Sequence, residues 1–136
     1  MSISPVIALR KAIRAQLLAD AMLVAKLGGA NVFDEAPREA IPPYVAFGDA
    51  TARDWSSSTD RGTEQFAILN VWSLQRGVRE ALDIADRIAA VLDDAALTLD
   101  SHHLVNLRLV SQETKREAAG RFARASLRFR AVTEAL

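Results

Sequence analysis

Residues 63–92 read TEQFAILNVWSLQRGVREALDIADRIAAVL, and the hydrophobic period changes inside them. Over 63–75 the apolar residues alternate, with Phe66, Ile68 and Trp72 on one side of an extended chain and Ala67, Leu69 and Val71 on the other. From Val78 the spacing becomes three and four: Val78, Ala81, Leu82, Ala85, Ile88, Ala89 and Leu92 form one helical stripe, and Asp83 with Arg87 makes an exposed i, i+4 pair. A strand leading directly into an amphipathic helix predicts a sheet with helices packed on it.

Upstream, Ser4 before Pro5 is a helix start: a hydroxyl cap, then proline at the first helical position, where its missing N–H costs nothing. Val6, Leu9, Ile13 and Leu17 continue one apolar face while Arg10, Lys11 and Arg14 point elsewhere. Asp20 caps a short helical turn through Met22, Leu23, Val24 and Leu27, which Gly28 and Gly29 end. A brief extended piece at 31–33 follows. Pro42 and Pro43 then hold the backbone extended into YVAFGDATARDW, residues 44–55, and SSSTDRGTE, residues 56–64, is a turn cluster. The strands on either side of it form a long hairpin. Downstream of the helix, HLVNLRLVSQET (103–114) and RFARASLRFRAV (121–132) are two more strands, joined by the polar ETKREAAGR (113–121). The order helix, strands, helix, strands predicts an α+β fold spanning 1–136 as one domain: an antiparallel sheet with a long hairpin and two amphipathic helices packed on one face.

A chain of 136 residues buries about two thirds of its unfolded surface around one core. Lys plus Arg equals Asp plus Glu at 17 each, so no overall field draws the molecule to nucleic acid or an anionic membrane. The absence of cysteine removes disulfides, thiolate nucleophiles and thiolate metal sites together. Arg10, Lys11 and Arg14 interrupt the apolar N-terminal residues, so a signal peptide and a membrane span are not expected, and a soluble cytoplasmic chain is.

No catalytic, cofactor or metal site is expected. His102 and His103 would diverge on a strand, and Asp100, Ser101 and His102 are consecutive, whereas triad members converge from separate segments. Asp93 and Asp94 end a helix, a place for a solvated terminus or local hydrogen bonding into the turn. A hydrolase built on Asp54 or Asp60 with His103 would need these groups to converge in a pocket, which nothing in their spacing demands. Charge is more informative. Between 108 and 130, Arg108, Lys115, Arg116, Arg121, Arg124, Arg128 and Arg130 stand against Glu113 and Glu117 only, an excess of five. Arg124, Ser126, Arg128 and Arg130 share one strand face, and Ala125, Leu127 and Phe129 the other. That basic face is either balanced by acidic residues on neighbouring strands or meets a partner subunit or phosphate. The three arginines are expected to be solvent-exposed and replaceable without loss of folding. With Phe129 pointing inward, aromatic interleaving is expected to be missing from the face, which argues against sequence-specific nucleic-acid recognition. Trp72 continues the register of Phe66 and Ile68 and is expected in the core. Trp55, at the hairpin tip, is a candidate anchor for another subunit.

VFDEAP (32–37), PPYVAFGD (42–49), RDWSSSTDRGTE (53–64), VWS (71–73), HHLVNLRL (102–109) and LRFRAVTE (127–134) together resemble the small tail-completion proteins of long-tailed phages and, nearest, the tail terminators of alphaproteobacterial gene-transfer-agent clusters. The resemblance implies a structural protein with a fold like that of the lambda-type U protein. It implies a homohexameric ring that caps the tail tube, ends tail polymerisation and meets a head-side stopper or connector, with DNA passing through without sequence-specific binding. It implies no cofactor, no membrane partner, and residence at the head-proximal end of a virion tail assembled in the bacterial cytoplasm. On this reading Phe33, Asp34, Glu35, Pro42, Tyr44, Asp54, Trp55, Asp60 and Arg61 are candidates for a subunit or tube interface. Arg124, Arg128 and Arg130 are candidates for the lumen or a subunit interface. The alternative is a non-enzymatic protein-binding module or assembly chaperone acting as monomer or dimer.

Overall fold

The computed structural model describes residues 3–74, 77–117 and 121–136. Its elements are α1 (Pro5–Leu18), α2 (Ala21–Leu27), β1 (Val32–Phe33), β2 (Tyr44–Asp54), β3 (Gly62–Ser73), α3 (Arg79–Leu92), β4 (His102–Glu117) and β5 (Phe122–Ala135). The end of the expected strand at 75 and part of the polar connection, 118–120, lie outside the described residues.

The five strands form one sheet in the order β1-β2-β3-β5-β4. It is mixed, not antiparallel throughout: β1 runs parallel to β2, Val32 opposite Val45 and Phe33 opposite Ala46, while β2–β3, β3–β5 and β4–β5 are antiparallel. The proline-bearing connection 34–43 carries the chain back to the same end of the sheet, so β1 and β2 run the same way. Among the described residues there are three helices, not two, because the turn capped by Asp20 is a helix in its own right.

Local chemistry accounts for the helix ends. Ser4 Oγ accepts from the Val6 N–H at 3.2 Å, and Asp20 Oδ2 from the Leu23 N–H at 2.9 Å. Gly28 closes α2 with φ 74°, a left-handed conformation that costs glycine nothing. Leu9, Ile13 and Leu17 of α1, Leu23 and Leu27 of α2 and Ile84, Ile88 and Leu92 of α3 are buried with Ala67, Leu69 and Val71 of β3 and Ala125, Leu127 and Phe129 of β5 in one core. Alanines at 81 and 85 of α3 and at 123, 125 and 131 of β5 keep that layer shallow.

The α3 stripe is rotated from its expected position. Ile84 is buried and Leu82 is 36 % exposed. The Asp83–Arg87 pair does not form either. Arg87 reaches Asp20 in a bidentate pair, Nε to Oδ2 at 2.8 Å and Nη2 to Oδ1 at 2.6 Å, and Asp83 meets Lys26 at 2.7 Å. Both contacts tie α2 to α3, and a bidentate guanidinium–carboxylate pair outcompetes a solvated i, i+4 pair. Trp72 also departs from expectation. It is half-buried on the helix-free face, because the residues of β3 facing the helices are the odd ones.

Ile88→Ala should lower stability by about 2–5 kcal/mol and Leu82→Ala by about 0.5 kcal/mol or less, read by urea unfolding. Equal costs would place the buried stripe elsewhere. The Arg87 guanidinium, with help from the Leu23 N–H, holds the Asp20 carboxyl at about 2, below its ordinary 3.8. A carboxyl with a depressed folded pKa contributes stability above its unfolded pKa and loses it as pH falls through the folded value. The wild-type chain should therefore lose stability between about pH 4 and pH 2 more steeply than Asp20→Asn, which is the less stable of the two at pH 7.

Candidate functional site

Even residues of β5 and β3 face away from the helices and lie opposite one another: Arg130 beside Phe66, Arg128 beside Ile68, Ser126 beside Asn70, Arg124 beside Trp72. The basic strand face is therefore interleaved with aromatic rings after all, and they come from the neighbouring strand and the hairpin tip. The Arg128 guanidinium lies 4.0 Å from the Phe66 ring centroid, Arg124 lies 5.6 Å from that of Trp72, and Arg53 and Arg130 flank Trp55 at 5.1 and 5.4 Å. Trp72 in turn meets Phe122 edge to face at 6.1 Å.

A buried acidic residue on this face is Glu64, whose side chain is 6 % exposed. It takes Arg130 Nε at 2.6 Å and Arg53 Nε on its two oxygens, and Arg130 first, then Arg53, hold its carboxyl below the usual range. A carboxylate so enclosed needs its partners, since losing one would leave buried charge uncompensated. Arg130 is half-buried and paired with Glu64, not freely exposed as expected, so its replacement should cost stability. Arg128 differs: it is exposed, and its aromatic contact is its one described interaction.

The other candidate residues fall into two groups at opposite ends of β2. Phe33 packs against Tyr44 with centroids 5.9 Å apart, and Asp34 pairs with Arg10 at 2.6 Å, while Glu35 is exposed and Pro42 half-buried. Arg10 also donates to the Gly48 carbonyl at 2.6 Å and lies over Phe47, so α1 holds this end of β2. Gly48 sits at a bulge where a Cβ would come 2.9 Å from Ile68 Cγ2, too close for any other residue to fit without a shift.

At the far end the tip is ordered by its own polar groups. Ser57 donates its N–H to the Asp60 carbonyl at 2.9 Å and accepts from the Asp60 N–H at 3.0 Å, and Arg61 O accepts from the Ala135 N–H at 3.0 Å. Ser56 donates from Oγ and N–H to Asp54, holding that carboxyl below its ordinary range. Trp55 is 48 % exposed beside it. Between the tip and the C-terminus lies an open cleft of about 760 Å³, with Pro5, Asp60, Arg61 and His102 among its lining residues. His102 Nε2 is tied to the Ile3 carbonyl at 2.8 Å, and His103 is exposed on the other side of the strand, so Asp54 and Asp60 do not converge with His103.

The family model for tail completion protein gp17 matches residues 11–134. The chain belongs to that family. It is a structural tail protein, α+β in fold. Among solved structures it is similar to a chain of the virion of a native gene transfer agent particle, at 30 % identity and a TM-score of 0.89, covering 98 % of this chain and 99 % of that one. No curated protein sequence matches it.

What the sequence missed at this surface is the partnership of Glu64, Phe66 and Trp72 with the arginines. All share even parity on their strands, which is visible, but their meeting depends on the β3–β5 register, which is not. Arg130→Glu, which sets a second carboxylate against Glu64, should depress the midpoint of thermal unfolding strongly. Arg128→Glu should change stability by about 1 kcal/mol or less. Equal midpoints for the two would remove the structural role of the Glu64 cluster.

Proposed function

We propose that this chain forms a homohexameric ring that caps the tail tube, ends its polymerisation and joins the tail to a head-side connector in a phage-like virion. The observation that carries this reading is the structural correspondence, end to end on both chains, with a protein of a gene transfer agent virion, within a family of tail completion proteins.

The geometry supports it in three respects. The two groups of candidate residues lie at opposite ends of β2, which at 11 residues spans about 35 Å. In a ring whose strands run from rim to rim, Phe33, Asp34, Glu35, Pro42 and Tyr44 serve one rim, and Asp54, Trp55, Asp60 and Arg61 the other, so the tube and the head-side protein meet different surfaces. Each end is already held by internal bonds, which reduces the ordering lost on docking. Third, the helices pack on one face of the sheet, and that bulkier side belongs at larger radius in the proposed ring, with the Arg124, Arg128 and Arg130 face toward the hole. There Glu64 offsets one of the two charges of Arg53 and Arg130, and the guanidiniums lie on rings, so a duplex passing through finds few strong phosphate contacts to hold it.

Electron micrographs of particles from a producing strain deleted for this gene, beside the intact strain, test the function. Tails of uncontrolled length with unattached heads are expected. Normal particles would overturn the reading and favour a binding module or chaperone.

A further inference from the structure

Among the described residues each edge of the sheet is covered over one half only, and the two exposed halves fit one another. We infer that successive copies in the ring join edge to edge: the outer edge of β2 over Asp49–Asp54 of one copy pairs antiparallel with the outer edge of β4 over 111–116 of the next. The inference rests on the ring reading above and specifies its interface.

On β2, the strand β1 covers only Val45 and Ala46, and Arg10 occupies the Gly48 carbonyl. From Asp49 to Asp54 every residue is exposed, and among the described residues no strand lies beside them on that side. On β4 the covered half is the first. Asp93 Oδ1 accepts from the Leu109 N–H at 2.9 Å, and the Asp94 N–H donates to the Leu107 carbonyl at 2.8 Å, so the end of α3 occupies the edge there. Beyond the bulge between Leu109 and Ser111, residues 111–116 are exposed apart from a half-buried Thr114. The exposed half of β2 is Asp49–Asp54, and that of β4 begins at Ser111.

Direction and height also agree. β3 and β4 run the same way with β5 between them and α3 crossing over, a connection that is right-handed as a rule. Seen from the helix side with β3 and β4 pointing up, β2 is then the left edge and β4 the right. β2 points down, so the next copy's β2 meets β4 antiparallel under rotation about an axis along the strands. The free part of β2 is low, Thr51 being level with Phe66, Arg130 and Arg108. The exposed part of β4 is high, Glu113 being level with Ser126 and Lys115 with Arg124. Strands of a closed barrel coil right-handedly, which displaces each copy to the right upward along its neighbour's strands. Bringing Thr51 from the level of Arg130 to that of Ser126 or Arg124 takes four to six residues, about 13–20 Å across four strands about 19 Å wide, a tilt of about 35–45°. Closed barrels have that tilt.

The chain has no cysteine, so introduced pairs report without background. Thr51→Cys would be combined in turn with Glu113→Cys, Thr114→Cys and Lys115→Cys, and the particles oxidised before denaturing electrophoresis. At least one double variant should give a ladder of covalent multimers ending at the ring, and each single variant none. Terminated tails whose micrographs show the ring, with no ladder from any of the three, would overturn edge pairing and leave the function standing. Terminated tails without a ring would overturn both.

Discussion

The pairing of β3 with β5, unbroken from Gly62 opposite Glu134 to Ser73 opposite Ala123, sets everything else in this molecule. It puts the odd residues of both strands under the helices, where Ala67, Leu69, Val71, Ala125, Leu127 and Phe129 make the centre of the core. By the same parity it puts Glu64, Phe66 and Trp72 beside Arg130, Arg128 and Arg124 on the other face. A shift of one residue would exchange the two faces. The core thus selects the register, and the register assembles the arginine–aromatic row without further instruction.

Glu64 shows the cost of that arrangement. A nearly buried carboxylate is tolerable here only because Arg53 arrives from β2 and Arg130 from β5, one on each oxygen. Three strands are therefore tied together at one side chain, close to the tip where Trp55 lies between the same two guanidiniums. Order at the tip and order at the centre of the sheet are one property here.

What was legible in the sequence is what is decided locally. Ser4, Asp20 and Gly28 act on backbone groups within a few residues, and the alternation along β3 and β5 needs only the period of a strand. The stripe of α3 was half legible: Leu82 and Ile84 are both apolar, and which is buried depends on how the helix leans on β3 and β5. Arg87 was misread because its partner, Asp20, is 67 residues away and no helical spacing announces it. β1 is two residues long, and its parallel pairing follows from the return of the 34–43 connection. Of the candidate site, the exposed polar residues were legible, but not their division between the ends of β2.

A sheet with two open edges is a hazard, since an unprotected edge pairs with whatever strand it meets and a heterologous contact that fails to close grows into a fibre. This protein blunts each edge over one half, β2 with β1 and the Arg10 side chain, β4 with two bulges and the carboxyl end of α3. A full-length edge would accept many registers. Two half-edges at opposite heights accept only staggered ones, and the stagger has the sense and size that tilted strands need in order to close. The devices that keep the single chain from aggregating are, in the proposed ring, the ones that fix the offset between its copies: the coverage that forbids level pairing also selects closure over unlimited growth.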